Sequence, residues 1–174
     1  MQKLAKILLP AFLSVMCSYS YAQAPAPTDA QIAGIVVAAN NVDIEAGKLA
    51  NSVSQNKDVK GFAQLMITDH TNSNKQATAL VTKLNVKPEE SDTSRSLKND
   101  GKTTISKLKG LKGKEFDKAY VDSEVTYHQA VLDAIDKTLI PNAKNAELKG
   151  LLEKTRPVIE AHLQHAKNLK NMLM

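Results

Sequence analysis

Four histidines are the residues of this chain best suited to chemistry, and each falls at or beside the apolar stripe of a helical pattern. His70 follows Asp69 inside Phe62–Leu84, where Phe62, Met66, Ala77, Leu80 and Leu84 recur at three- and four-residue steps. His128 interrupts a row formed by Val121, Val125, Leu132, Ile135 and Leu139. His162 and His165 do the same among Ile159, Ala166 and Leu169. Three separate segments therefore turn an imidazole toward one interior. Neutral imidazoles with carboxylates suit Zn, Fe, Mn or Cu, and bundle cores build such sites from facing helices.

Spacing refines the ligand set. Glu124 precedes His128 by one helical turn, and His162 precedes His165 by three residues, so either pair can meet at one ion. Glu160 and His162 stand two residues apart and point about 200° away from each other, which keeps them from sharing an ion. No Glu-x-x-His step occurs, so the dinuclear ferritin-like pattern is missing and a redox-metal oxidase is the weakest reading. Asn40, Asn41, Asp43 and Glu45 flank the stripe of the first helix, with Glu45 the candidate to reach inward. The competing reading needs no metal: inward histidines bonded to Asp69, Tyr120, Tyr127 or a carbonyl would form a buried network that fixes helix register.

The elements that must position these side chains are all helical. Thr28 and Gln31 have capping-box spacing ahead of a first helix over about Asp29–Ser54. Asn56 or Asp58 can cap the second, which ends near Leu84. Ser94–Leu108 reads as a short helix broken or frayed at Gly101, in the most lysine-rich part of the chain, a solvated face. A third long helix spans Lys114–Ile140 and is stopped by Pro141; a fourth spans Ala143–Leu173 and is kinked by Pro157. Nothing alternates with period two. The expected fold is an all-α four-helix bundle with a short extra helix between the second and third long helices. That connection allows either an up-down bundle or a crossover that sets those two helices parallel.

Residues 1–22 have the build of an export signal: Lys3 and Lys6, the apolar run Ile7–Val15, and Ser20-Tyr21-Ala22 as a small-x-small cleavage site. Met16 before Cys17, the one cysteine, argues against lipidation. Residues 23–27 make an extended leader and 28–174 a single domain. Removing Lys3 and Lys6 with the signal lowers the formal net charge from +5 to +3. With no Trp and 4% aromatic residues, the chain lacks the basic, stacking surface of a nucleic-acid binder. The mature part holds no transmembrane segment, no nucleophile motif and no phosphate loop. It points to an exported periplasmic protein, with an envelope protein as the kind of partner open to it.

Four runs together carry a resemblance: AANNVDIEAGKLA (Ala38–Ala50), VKGFAQLMITDHTNSN (Val59–Asn74), GKEFDKAYVDSEVTYHQAVL (Gly113–Leu132) and LKGLLEKTRPVIEAHLQHAKNL (Leu148–Leu169). In order, they resemble the exported bacterial family catalogued as domain of unknown function 4142, often labelled an outer-membrane protein. The resemblance implies a ferritin-like four-helix bundle in the periplasm or envelope. It also implies Glu45, Asp69, His70, His128 and His162 as the site positions, with Glu124 and His165 outside the pattern. It implies no activity. The expectation is a non-enzymatic bundle that binds a divalent metal or small ligand, serving envelope stress or metal handling.

Overall fold

The computed structural model describes residues 25–174. The signal-like residues 1–22, Cys17 among them, and the first two residues of the expected leader lie outside the described residues. All regular structure among the described residues is helical. Helix α1 (Asp29–Val53) opens on the expected capping box, Thr28 and Gln31 each accepting from the other's backbone N–H. Helix α2 (Lys57–Lys83) is capped by Asn56, whose side chain accepts from the N–H groups of Asp58 and Val59. Helix α3 (Asp92–Lys109) starts from a second capping box at Ser91 and Ser94.

Two local expectations need correction. Helix α3 is not broken at Gly101: a Cβ there would lie 2.8 Å from both Val42 methyls, so the glycine lets α3 lie against α1. Nor does Pro141 end the third long helix at Ile140. Helix α4 (Gly113–Ala134) passes into a π-helical turn (Ile135–Leu139), and a last helical stretch, α5 (Ile140–Asn142), carries the proline in its first turn. A proline ring normally meets the carbonyl four residues back; the widened turn ahead of it relieves that conflict.

Helix α6 (Ala146–Leu173) begins at the Asn145 cap, three residues later than the periodicity suggests. Asp29 explains the delay: its carboxylate accepts from the N–H groups of Lys144 and Asn145 and holds them as a turn against the start of α1. Pro157 lies inside α6 on its exposed side, and the helix continues through it.

Two apolar clusters define the topology. One joins the end of α1 (Ala46, Ala50) to the start of α2 (Phe62), the end of α3 (Leu108), the start of α4 (Phe116) and the end of α6 (Leu169). The other joins the start of α1 (Ile32, Ile35) to the end of α4 (Leu132), Leu139 and the start of α6 (Leu148, Leu152). Helices α2 and α4 therefore run parallel, and α3 carries the chain back along the bundle between them. This is the crossover arrangement of a ferritin-like bundle, not the up-down one. A short link could not make that return. Between the two clusters lies a layer where every long helix contributes a buried polar side chain.

Candidate metal centre

Each long helix delivers its polar group by the periodicity that buries its neighbours. Asp43 and Asn40 come from α1, His70 from α2, Glu124 and His128 from α4, and His162 from α6; all six are buried. The three imidazoles surround one point, with ring centroids 5.3 to 5.8 Å apart. One nitrogen from each lies within 4.8 Å of the other two.

The outer nitrogens are all engaged, which sets the tautomers. His70 Nδ1 lies 2.9 Å from Asn40 Oδ1, and Asn40 is itself oriented by donating to Ser73 and Asn74. His128 Nδ1 donates to the backbone carbonyl of Glu124 at 3.0 Å. His162 Nε2 donates to Asp69 Oδ2 at 2.9 Å. Each bond places the ring proton on the outer nitrogen and leaves a bare lone pair on the inner one: Nε2 of His70, Nε2 of His128 and Nδ1 of His162. Metal-ligating histidines are oriented by outer partners of this kind.

The inner side is unsatisfied. Among the described residues, the buried side-chain polar atoms without a hydrogen-bond partner are Asp43 Oδ1 and Oδ2, His70 Nε2, His128 Nε2, His162 Nδ1, Glu124 Oε2 and Tyr120 OH. All belong to this one centre. His70 Nε2 is 2.9 Å and His128 Nε2 3.3 Å from Asp43 Oδ2, yet neither contact is aligned as a hydrogen bond. With the ring protons outward, these are acceptors facing acceptors, which requires a shared cation or proton between them. Two ligands each about 2.0–2.2 Å from one tetrahedral ion stand roughly 3.3–3.6 Å apart, close to the His128 contact.

Electrostatics agree with that reading. Burial opposes the charge on Asp43, but positive charge shared with His70 and His128 outweighs it and holds the carboxyl below its ordinary value. Glu124 goes the other way: burial first, then the Asp43 charge, push it well above the carboxylate range. One carboxylate is ionised while its neighbour keeps a proton. Burial lowers His128 and His162, so both are neutral near pH 7. Burial and the nearby carboxyls raise Tyr120 and Tyr127, and both phenols stay protonated.

The raised Glu124 gives a stability prediction. Because the fold holds this proton more tightly than the unfolded chain does, its contribution weakens as pH rises above about 4.5. Glu124→Gln should therefore make the metal-free protein more stable at pH 7.5 by about 1 kcal/mol, and the gain should vanish near pH 4.5. Metal-free thermal melts of both proteins across that range check it.

The sequence-derived site residues separate into three groups. His70, His128 and His162 come together at the centre. Asp69 is partly exposed and bonds the outer nitrogen of His162, one step away from any ion. Glu45 is a correction: it is exposed on α1 and does not reach the centre. The inward carboxylate is Asp43, 1% exposed. Two positions along a helix are about 200° apart, so only one of the two can face inward. Asp43 stands three residues before Ala46 and seven before Ala50, in register with the buried stripe, and that spacing was the available signal. His165 is exposed and packs edge-on against Phe62. With Asp69, Leu65 and Val158 it lines a shallow hollow over His162, a short path from solvent to the centre.

The family described as "Domain of unknown function (DUF4142)" matches residues 17–169. The fold is similar to the crystal structure of a DUF305 protein from Streptomyces coelicolor, described there as secreted. That likeness has a TM-score of 0.69 at 14% identity and covers 83% of this chain and 93% of the other. No curated protein matches the chain.

Proposed function

Because the chain belongs to the DUF4142 family, whose description assigns no activity, we propose a function read from the buried centre. In this reading it is an exported bundle holding one divalent transition-metal ion through His70 Nε2, His128 Nε2, His162 Nδ1 and the Asp43 carboxylate. The carrying observation is that, among the described residues, all the buried side-chain polar atoms without partners converge there, while the outer nitrogen of each of the three imidazoles is engaged. Glu124, beside Asp43 and His128, is a further donor once it loses its proton. The donor set of three imidazoles and a carboxylate suits Zn, Fe, Mn or Cu. Metal handling or envelope stress response in the periplasm, with or without outer-membrane association, is the role this supports.

Export rests on the signal-like residues 1–22 and on the secreted description of the DUF305 neighbour. Among the described residues no helix is long and apolar enough to cross a membrane.

The test is elemental analysis of protein purified from the periplasm, with melts of the metal-free form against Zn²⁺, Fe²⁺, Mn²⁺ and Cu²⁺. About one equivalent of metal is expected. Metal at 100-fold over its dissociation constant should stabilise the fold by about 2.7 kcal/mol. The double variant His70→Ala/His128→Ala should lose both signals; unchanged affinity would sink the reading.

Acid supplies a second check. Burial holds His128 and His162 below their ordinary value, so metal should be retained from pH 8 through neutral pH and released only well into the acid range, as protons take the lone pairs. Equilibrium dialysis against a pH series measures this.

One observation favours a second reading. The 2.9 Å approach of His70 to Asp43 is also the distance of an imidazolium–carboxylate pair, which would hold helix register without a metal. That reading expects all four metals to leave the melt unchanged.

A further inference from the structure

A cavity of about 210 Å³ opens directly onto the centre. Its walls are apolar: Ile35, Val36, Leu97, Val131, Ile135 and Leu152. Its inner end is formed by Asp43, His70 and His128. Thr93, Ala130 and Thr138 line it as well and are exposed, which places the mouth between the start of α3 and the far end of α4. The π-helical turn supplies part of the wall through Ile135, Thr138 and Leu139. Such turns recur at functional sites.

The chemistry of the cavity constrains its occupant. Most polar groups in the walls are already engaged: Tyr127 donates to the Ala39 carbonyl, both ends of the Asn40 amide are bonded, Ser73 accepts from Asn40 and Thr155 donates to the Leu151 carbonyl, while Thr93 and Thr138 stand at the exposed mouth. No lysine or arginine lines it. A charged head is therefore best held at the metal, away from the mouth, and the body of the ligand beside these walls must be apolar. Three neutral imidazoles and the Asp43 carboxylate around a divalent ion leave one positive charge in an apolar setting. A monoanion would neutralise it. An apolar cavity of about 150 Å³ holds benzene, so about 210 Å³ corresponds to roughly eight non-hydrogen atoms.

We infer that the cavity takes a small monocarboxylate with an apolar tail, its head on the metal ion and its tail between α1, α3 and α4. This rests on the metal reading above. Hexanoate, with its eight non-hydrogen atoms, is the probe.

The experiment titrates the Zn²⁺-loaded protein with acetate, butanoate and hexanoate by calorimetry, with zinc content measured on the same sample. Affinity should rise roughly fourfold per methylene, equivalent to the ~0.8 kcal/mol of burying each one. Stripping the zinc should abolish binding. Ala134→Leu plugs one wall and Leu97→Phe the opposite one. Each should weaken hexanoate at least tenfold while leaving zinc content and acetate affinity unchanged.

Equal affinities along the series would mean that only the head binds and would overturn the inference. Hexanol binding as tightly as hexanoate, or hexanoate binding equally well without zinc, would do the same. Full zinc occupancy with no hexanoate binding removes this inference alone. Failure to hold zinc or any other tested metal removes the metal reading and this inference with it.

Discussion

Asp43→Asn should leave the bundle folded and strip it of metal. The substitution keeps the shape and removes the one ionised carboxylate at the centre, the group that His70 and His128 hold below its ordinary value. In metal-free protein the change costs some stability, because a carboxyl held below its ordinary value is favoured as its charged form in the fold, so the readout is the response to metal and not the metal-free melt. With metal present it removes the anionic ligand, and affinity should fall by at least about 100-fold, the upper end of what an outer partner alone is worth. The stabilisation by metal, about 2.7 kcal/mol at 100-fold excess, should then all but disappear. For a domain of this size that is a shift of roughly 5–10 °C. The matched control is Glu45→Gln, whose exposed carboxylate should make no difference. Should Asp43→Asn bind metal as the parent does, the carboxylate is not a ligand and the centre is a hydrogen-bond network.

The second large effect lies outside the centre. Gly34→Ala should destabilise the fold by about 3 kcal/mol, whereas Gly150→Ala should stabilise it by roughly 0.5–1 kcal/mol. A Cβ on Gly34 would stand 2.0 Å from the Glu89 carbonyl oxygen, and both partners are backbone, so no side chain can swing aside. The crossover segment passes over α1 here, pinned by Glu89 N–H donating to the Ala30 carbonyl at 2.9 Å. Gly150 meets nothing within 4 Å, and alanine there gains helix propensity without a clash. Chemical denaturation of the two variants beside the parent checks both signs in one experiment.

Those two glycines read alike in the chain: each is a single glycine inside a helical pattern. Gly47 is a third, and α2 approaches it closely, with Ala63 O 3.0 Å from where its Cβ would stand. What separates them is the backbone of a different segment arriving at one helix and not at another. The same holds for Gly101, which reads as a helix break and instead seats α3 on Val42. Propensity reports the cost of a glycine to its own helix and is silent about neighbours.

The candidate site divides along the same line. His70, His128 and His162 could be taken from the chain because each sits in an unmistakable apolar stripe, and a stripe turns everything on it inward. The first helix is less clear, since Asn40, Asn41, Asp43 and Glu45 crowd two turns and blur the stripe by about 100° per residue. The choice between Asp43 and Glu45 then depends on where α2 and α4 lie. Asp69 is in the arrangement, but it reaches the outer nitrogen of His162 from the rim.

The sequence by itself determined the helices, their capped starts and three of the inward polar groups, because periodicity and capping act within a few residues of one chain. Only the tertiary structure decided the crossover of α3, the place of Asp43 and the cavity beside it. Those features are set by where four helices meet, and each depends on residues more than twenty positions apart along the chain.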